Sequence, residues 1–131
     1  MAAFEHSIES AIRGFHVYKN ILWSPFMHEQ LRTRQEPGNP EDQYAVAVVK
    51  DSDSSSSTTG RTMVVGHVPK EIFRICWFFL QHDGEIQCEV IGSNRRSPLP
   101  QGGLEIPCIY MFVGKRKHIR KLKTLLKGEH R

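Results

Sequence analysis

Cysteine is scarce in this chain: Cys76, Cys88 and Cys108 are three widely spaced residues among 131. An odd, scattered set suits neither a disulfide framework nor a zinc knuckle. The sequence therefore predicts reduced, buried thiols in the cytosol or the nucleus. Long apolar stretches are lacking too. The longest runs, Ile75–Leu80 among them, fall far short of the roughly 20 residues needed to span a bilayer, and no membrane partner is expected. Met1–Ser10 carries Glu5 and Glu9 without an Arg-rich face or an apolar stretch ending in small residues, and reads as an untargeted start. Catalytic signatures are also missing. There is no GxSxG, HExxH, Walker loop or CxxC pair, and Cys76 lies in an apolar helical pattern where burial keeps a thiol protonated and inert. The expectation is a non-enzyme with no metal or cofactor.

The 131 residues are enough for one hydrophobic core. Apolar residues make up 39% and charged residues 24%, which suits a folded domain. The net charge of +4 is unevenly placed: Lys115–Arg131 holds eight Lys and Arg and one Glu, so this segment carries +7 and Met1–Gly114 carries −3. The chain divides accordingly into a mildly acidic body, 1–114, and a basic tail or amphipathic helix, 115–131. Such a tail serves as a nuclear localisation signal, a nucleic-acid arm or a soluble helix face, and its charge density favours contact with a polyanion.

Along the body, Gly14–Leu22 alternates Phe15 and Val17 against His16 and Tyr18 and reads as the first strand. Ser24 and Pro25 break it. The stretch to Arg34 leaves a bulged strand and a helical turn both open. Gln35–Asp42, QEPGNPED, combines two prolines with a glycine and an asparagine, the composition of a rigid loop. Gln43–Lys50 is β-favouring on both faces and predicts a central strand. Asp51–Gly60 is low-complexity and polar, a hairpin tip outside any core.

Arg61–Val68 resumes strand character, and Pro69 opens a helix expected to run from about Lys70 to His82 and to stop at Asp83-Gly84. Ile72, Phe73, Ile75, Cys76, Phe79 and Leu80 share its apolar face, predicted to plug the core. Glu85–Ile91 alternates as a half-solvated strand. Gly92–Gly103 reads as a loop with Arg95 and Arg96 at its centre, and these are candidate phosphate contacts. Leu104–Val113 is a last strand whose Pro107 implies an edge or a bulge. Ile119, Leu122, Leu125 and Leu126 recur at helical spacing in the tail, with Gly128 ending the helix. The fold class expected is mainly β: a small OB-like antiparallel barrel of about six strands with one core helix and a C-terminal helix as an option.

Three segments, IRGFHVYKN from Ile12, RQEPGNPEDQYAVAVVK from Arg34 and VVGHVPKEI from Val64, together resemble the HIRAN domain over roughly residues 12–114. The resemblance implies an OB-like barrel that captures the 3′ end of single-stranded DNA beside the NPxD loop. In the family pattern a basic residue and two tyrosines grip the terminal nucleotides, an Asp meets the 3′-hydroxyl, and a His and a Lys hold the backbone. Asn39, Asp42, His67 and Lys70 match that pattern. His16-Val17 stands where the family has Arg-Tyr, and Glu41 replaces the loop tyrosine. Each lost stacking platform costs about 1–3 kcal/mol.

Two roles remain compatible for Asp42, since an Asx side chain in a Pro-rich turn also bonds neighbouring backbone N–H groups. His67 alone would read as a core histidine, and the family match makes it a site candidate. The partners expected are single-stranded DNA ends, with RNA as an alternative, bound by a monomer in the nucleus or cytoplasm. The competing expectation is a protein partner on the same barrel, because Glu41 beside Asp42 places two carboxylates at one mouth.

Overall fold

The computed structural model describes residues 4–13, 26–40, 42–51, 62–92, 95–96 and 104–129. The strands are β1 (Phe4–Arg13), β2 (Gln30–Gln35), β3 (Val46–Asp51), β4 (Thr62–His67), β5 (Glu85–Val90), β6 (Arg95–Arg96) and β7 (Leu104–Gly114). Two helices, α1 (Lys70–Gln81) and α2 (Arg116–Glu129), follow β4 and β7. All pairings are antiparallel in the order β1-β4-β3-β2-β5-β7, and β1 pairs with β7 to close a six-stranded barrel. The mainly β barrel expected from the sequence is the fold observed.

The barrel begins earlier than the sequence suggests. The strand expected at Gly14–Leu22 lies outside the described residues; β1 precedes it and uses FEHSIESAIR, a segment with little apolar signal. Its conformation is set by partners, because every residue from Phe4 to Arg13 pairs with β7 between Gly114 and Glu105. Only Ala11 and Ile12 are buried along it. Of the two alternatives for the stretch to Arg34, a strand forms, and it buries Leu31.

β3 is central as expected, with Val46, Ala47, Val48 and Val49 all buried between β2 and β4. It starts three residues later than the sequence run, because Gln43 and Tyr44 are in a turn. Pro107 is not on an edge strand: β7 has β1 on one side and β5 then β6 on the other. The Pro107 carbonyl accepts from Ile91 N–H just beyond the end of β5. Its missing N–H faces that same gap, before β6 begins pairing at Glu105, so no ladder bond is lost. β6 is itself a correction, since Arg95 and Arg96 pair with Glu105 and Leu104 within the segment expected as a loop.

α1 begins one residue after Pro69, which occupies the N-cap position, and ends at Gln81. Ile72, Ile75, Cys76 and Phe79 repeat at helical spacing and face the barrel. Asp83 takes the left-handed conformation, φ 63°, to turn the chain into β5. The next residue must be glycine, because a Cβ on Gly84 would sit 2.4 Å from the Phe79 ring and 2.7 Å from its carbonyl oxygen. α2 packs on α1, β1 and β7. Its Ile119, Leu122 and Leu126 join the same core cluster as α1 and the strands, while Leu125 is exposed. The helix continues through Gly128 to Glu129, since one glycine in a last turn costs only about 1 kcal/mol. All three cysteines are free and buried, as expected.

Candidate nucleic-acid interface

Two short turns shape the loop between β2 and β3. The hairpin ladder continues one step past Gln35 with Glu36 N–H to Ala45 O, 2.9 Å. Pro37 then presets a turn closed by Asn39 N–H to Glu36 O, 3.1 Å. A second turn runs from Asp42 to Ala45, closed by Ala45 N–H to Asp42 O at 3.2 Å. Asp42 Oδ1 accepts the Tyr44 N–H at 2.8 Å, the Asx turn foreseen for this residue type. Asn39 joins the two turns, its Oδ1 accepting the Asp42 N–H at 3.2 Å and its Nδ2 donating to Glu36 Oε1 at 3.1 Å.

β4 brings His67 to this loop. A register shift between Val48 and Val49 of β3 re-phases β4 just before Gly66 and His67. Val68 N–H then bonds Val46 O at 3.0 Å, which holds the strand end against the loop's exit. His67 Nε2 lies 2.6 Å from Glu36 Oε1. Glu36 is therefore shared by Asn39 and His67, and its role has no local sequence signal because His67 is 31 residues away.

Partial burial raises the Glu36 carboxyl pKa, but the hydrogen bonds from His67 and Asn39 outweigh it. With the positive charges of His67 and Arg34 they leave the group below its ordinary value. A carboxyl with a depressed folded pKa contributes stability above its unfolded pKa and loses it as pH falls through the folded one. Glu36→Gln is therefore expected to remove part of the acid destabilisation below about pH 4.5, seen as a shallower fall of the melting temperature with acidification. An acid limb identical to wild type would mean that Glu36 is not the linked group.

A groove of about 440 Å³ opens beside the loop, lined by Arg34, Gln35, Glu36, Gly38, Asn39 and Pro40. Asn39 alone of the sequence-named residues lines it; Asp42, His67 and Lys70 are outside that lining. Asp42 and His67 are tied to it through Asn39 and Glu36. Lys70 is exposed in the first turn of α1, next to Glu71, which holds Arg13 of β1 with two bonds of 2.7 and 2.8 Å. Arg95 and Arg96 are placed only by their backbone pairing in β6, and His16 and Glu41 lie outside the described residues. Arg34 and Glu36 are the additions that the sequence did not single out. No group of three or more His, Cys, Asp or Glu side chains suited to a metal occurs among the described residues. No helix among them is long and apolar enough to cross a membrane.

A closed six-stranded antiparallel barrel with two helices packed into its core and a polar hairpin loop beside a strand-end histidine defines a small mainly β fold. The chain is similar to the crystal structure of the HIRAN domain of human HLTF, with a TM-score of 0.66 and 18% identity over 97% of this chain and 92% of that one. The NMR structure of the HLTF HIRAN domain in its DNA-bound conformation gives a TM-score of 0.60 and 18% identity, covering 95% and 88%. No protein-family model and no curated protein matches the chain. Its fold is that of the HIRAN domain.

Proposed function

We propose that this domain is a non-catalytic module that binds single-stranded nucleic acid and captures a free 3′ end at the loop between β2 and β3. The observation carrying this reading is that Asn39 and His67 meet at Glu36, and Asp42 joins them through Asn39, forming one hydrogen-bonded unit beside a groove. A HIRAN domain of the same fold has been solved in a DNA-bound conformation, which supports the choice of ligand class.

In this reading Asp42 Oδ1 holds the turn and Oδ2 accepts the terminal hydroxyl. His67 is oriented by Glu36 through Nε2, and Lys70 offers a cation to the backbone. Arg95 and Arg96 add phosphate contacts, and His16 stands in for the family's basic residue. The ligand is DNA, with RNA as the alternative, and the protein acts as an intracellular monomer in the nucleus or the cytoplasm. A role in DNA repair fits end recognition.

A carboxylate attracts a hydroxyl and repels the phosphate of an internal or 3′-phosphorylated nucleotide. Hydrogen bonds to a charged group contribute about 1.5–3 kcal/mol, or roughly ten- to a hundredfold preference for a free 3′-hydroxyl. Asp42→Asn keeps an oxygen for the Tyr44 N–H while removing the charge, so it should erase most of that preference without loosening the loop. The measurement is competition between 3′-hydroxyl and 3′-phosphate oligonucleotides, with Glu41→Tyr restoring the family's aromatic platform. Equal affinity of the wild type for both ends would refute end capture. Binding to neither end, even with Glu41→Tyr, would favour the second reading, a protein-interaction module. Glu41 beside Asp42 supports that alternative by adding negative charge where a phosphate would sit.

A further inference from the structure

Beyond Lys70, the outer face of α1 carries chemistry that the end-binding loop does not use. Lys70, Arg74 and Phe78 follow one another at four-residue spacing on one exposed stripe, and Phe78 is 43% exposed. A single exposed phenylalanine is ordinary. This one lies beside Tyr44, whose ring centroid is 5.8 Å away at a 33° tilt. The Arg74 guanidinium sits over the same Tyr44 ring at 4.8 Å, and Trp77 meets it edge-on at 5.6 Å. The Gln35 side-chain amide donates to Trp77 O at 3.1 Å and to Gln81 Oε1 at 3.0 Å, which ties β2 to the helix beneath this cluster. Glu71, in the same first turn as Lys70, is turned to Arg13, which also lies 3.7 Å from Glu105.

We propose that Tyr44, Phe78, Arg74 and Lys70 form a stacking ledge that carries single-stranded nucleic acid away from the end-binding loop. The proposal rests on the nucleic-acid reading above and extends it. Aromatic faces suit bases, and cations alternating with them suit phosphates, the combination that holds single strands without sequence preference. The ledge is continuous with the loop, because the Tyr44 backbone N–H is the one held by Asp42. From Lys70 to Phe78 the helix rises about 12 Å, the length of about three stacked nucleotides.

The test uses the full chain and fluorescent 3′-hydroxyl oligothymidylates of about three and about ten nucleotides. Phe78→Ala is expected to weaken binding of the longer strand about tenfold while leaving the preference for 3′-hydroxyl over 3′-phosphate unchanged. Phe78→Tyr should restore the affinity. Arg74→Gln should weaken the longer strand and lower its salt dependence. Thermal melting confirms that each variant is folded. If the wild type binds the longer strand and Phe78→Ala binds it equally well, the ledge is refuted while the end-binding reading stands. If the wild type binds neither strand, the nucleic-acid reading falls and the ledge falls with it.

Discussion

Phe79→Ala is expected to destabilise the domain by about 3–5 kcal/mol, enough to unfold much of a protein with a typical stability of about 5–15 kcal/mol. The side chain is 5% exposed, and its ring meets Phe112 of β7 edge to face at 5.2 Å. It also fills the space over two glycines, since a Cβ at Gly84 or Gly114 would lie 2.4 or 3.0 Å from it. The cavity left by alanine is bounded by backbone on those sides and collapses poorly. Urea denaturation followed by circular dichroism gives the value. A loss below about 1 kcal/mol would show that α1 is not the plug of the barrel.

Truncation before Arg116 is expected to be at least as damaging. It removes Ile119, Leu122 and Leu126, which are 5, 2 and 5% exposed in the shared core. At about 1.5–3 kcal/mol each, their burial rivals the whole stability of a small domain. Neutralising Lys117, Arg120 and Lys121 to glutamine is a different experiment. These side chains are largely exposed, so folding should change little. If they meet phosphates, the slope of log K against log salt should become shallower by about 0.7 for each phosphate that is no longer neutralised. A truncated chain with the melting temperature of the full one would assign α2 to the surface alone. An unchanged salt slope in the triple variant would remove its cations from the ligand interface.

The parts of the fold legible in the sequence are those whose apolar pattern is self-sufficient. α1 carries Ile72, Ile75, Cys76 and Phe79 at helical spacing, and β5 alternates buried with partly exposed residues, so both could be read within a few residues of their bounds. β1 and β2 could not. FEHSIESAIR and QLRTRQ bury Ala11, Ile12 and Leu31 between them, and their extended conformation comes from pairing with β7, β3 and β5. The hydroxyl of Tyr110 at 2.7 Å from the Ala11 carbonyl adds a tie visible only in three dimensions. Two arginines forming β6 give no pattern at all, since their partner strand lies eight residues on.

The site divides in the same way. Asn39 and Asp42 declared themselves through the turn chemistry of a Pro-rich loop, and the structure uses both for that chemistry. Glu36 belongs to the same loop, but its partner His67 arrives from another strand. Tyr44 and Arg74 meet only when the loop turns back over α1.

Because α2 is locked into the core, its charge cannot wander. The segment from Lys115 to Glu129 carries seven Lys and Arg against one Glu, while Met1–Gly114 carries −3, so the positive pole of the domain's electric dipole sits at a fixed place in the fold. A polyanion approaching at low ionic strength exerts a torque on that dipole before the two touch, turning α2 toward itself. The orientation in which the domain first meets a charged strand is thus set by helix packing, and added salt should weaken this alignment as the screening length shrinks to about 10 Å at 0.1 M.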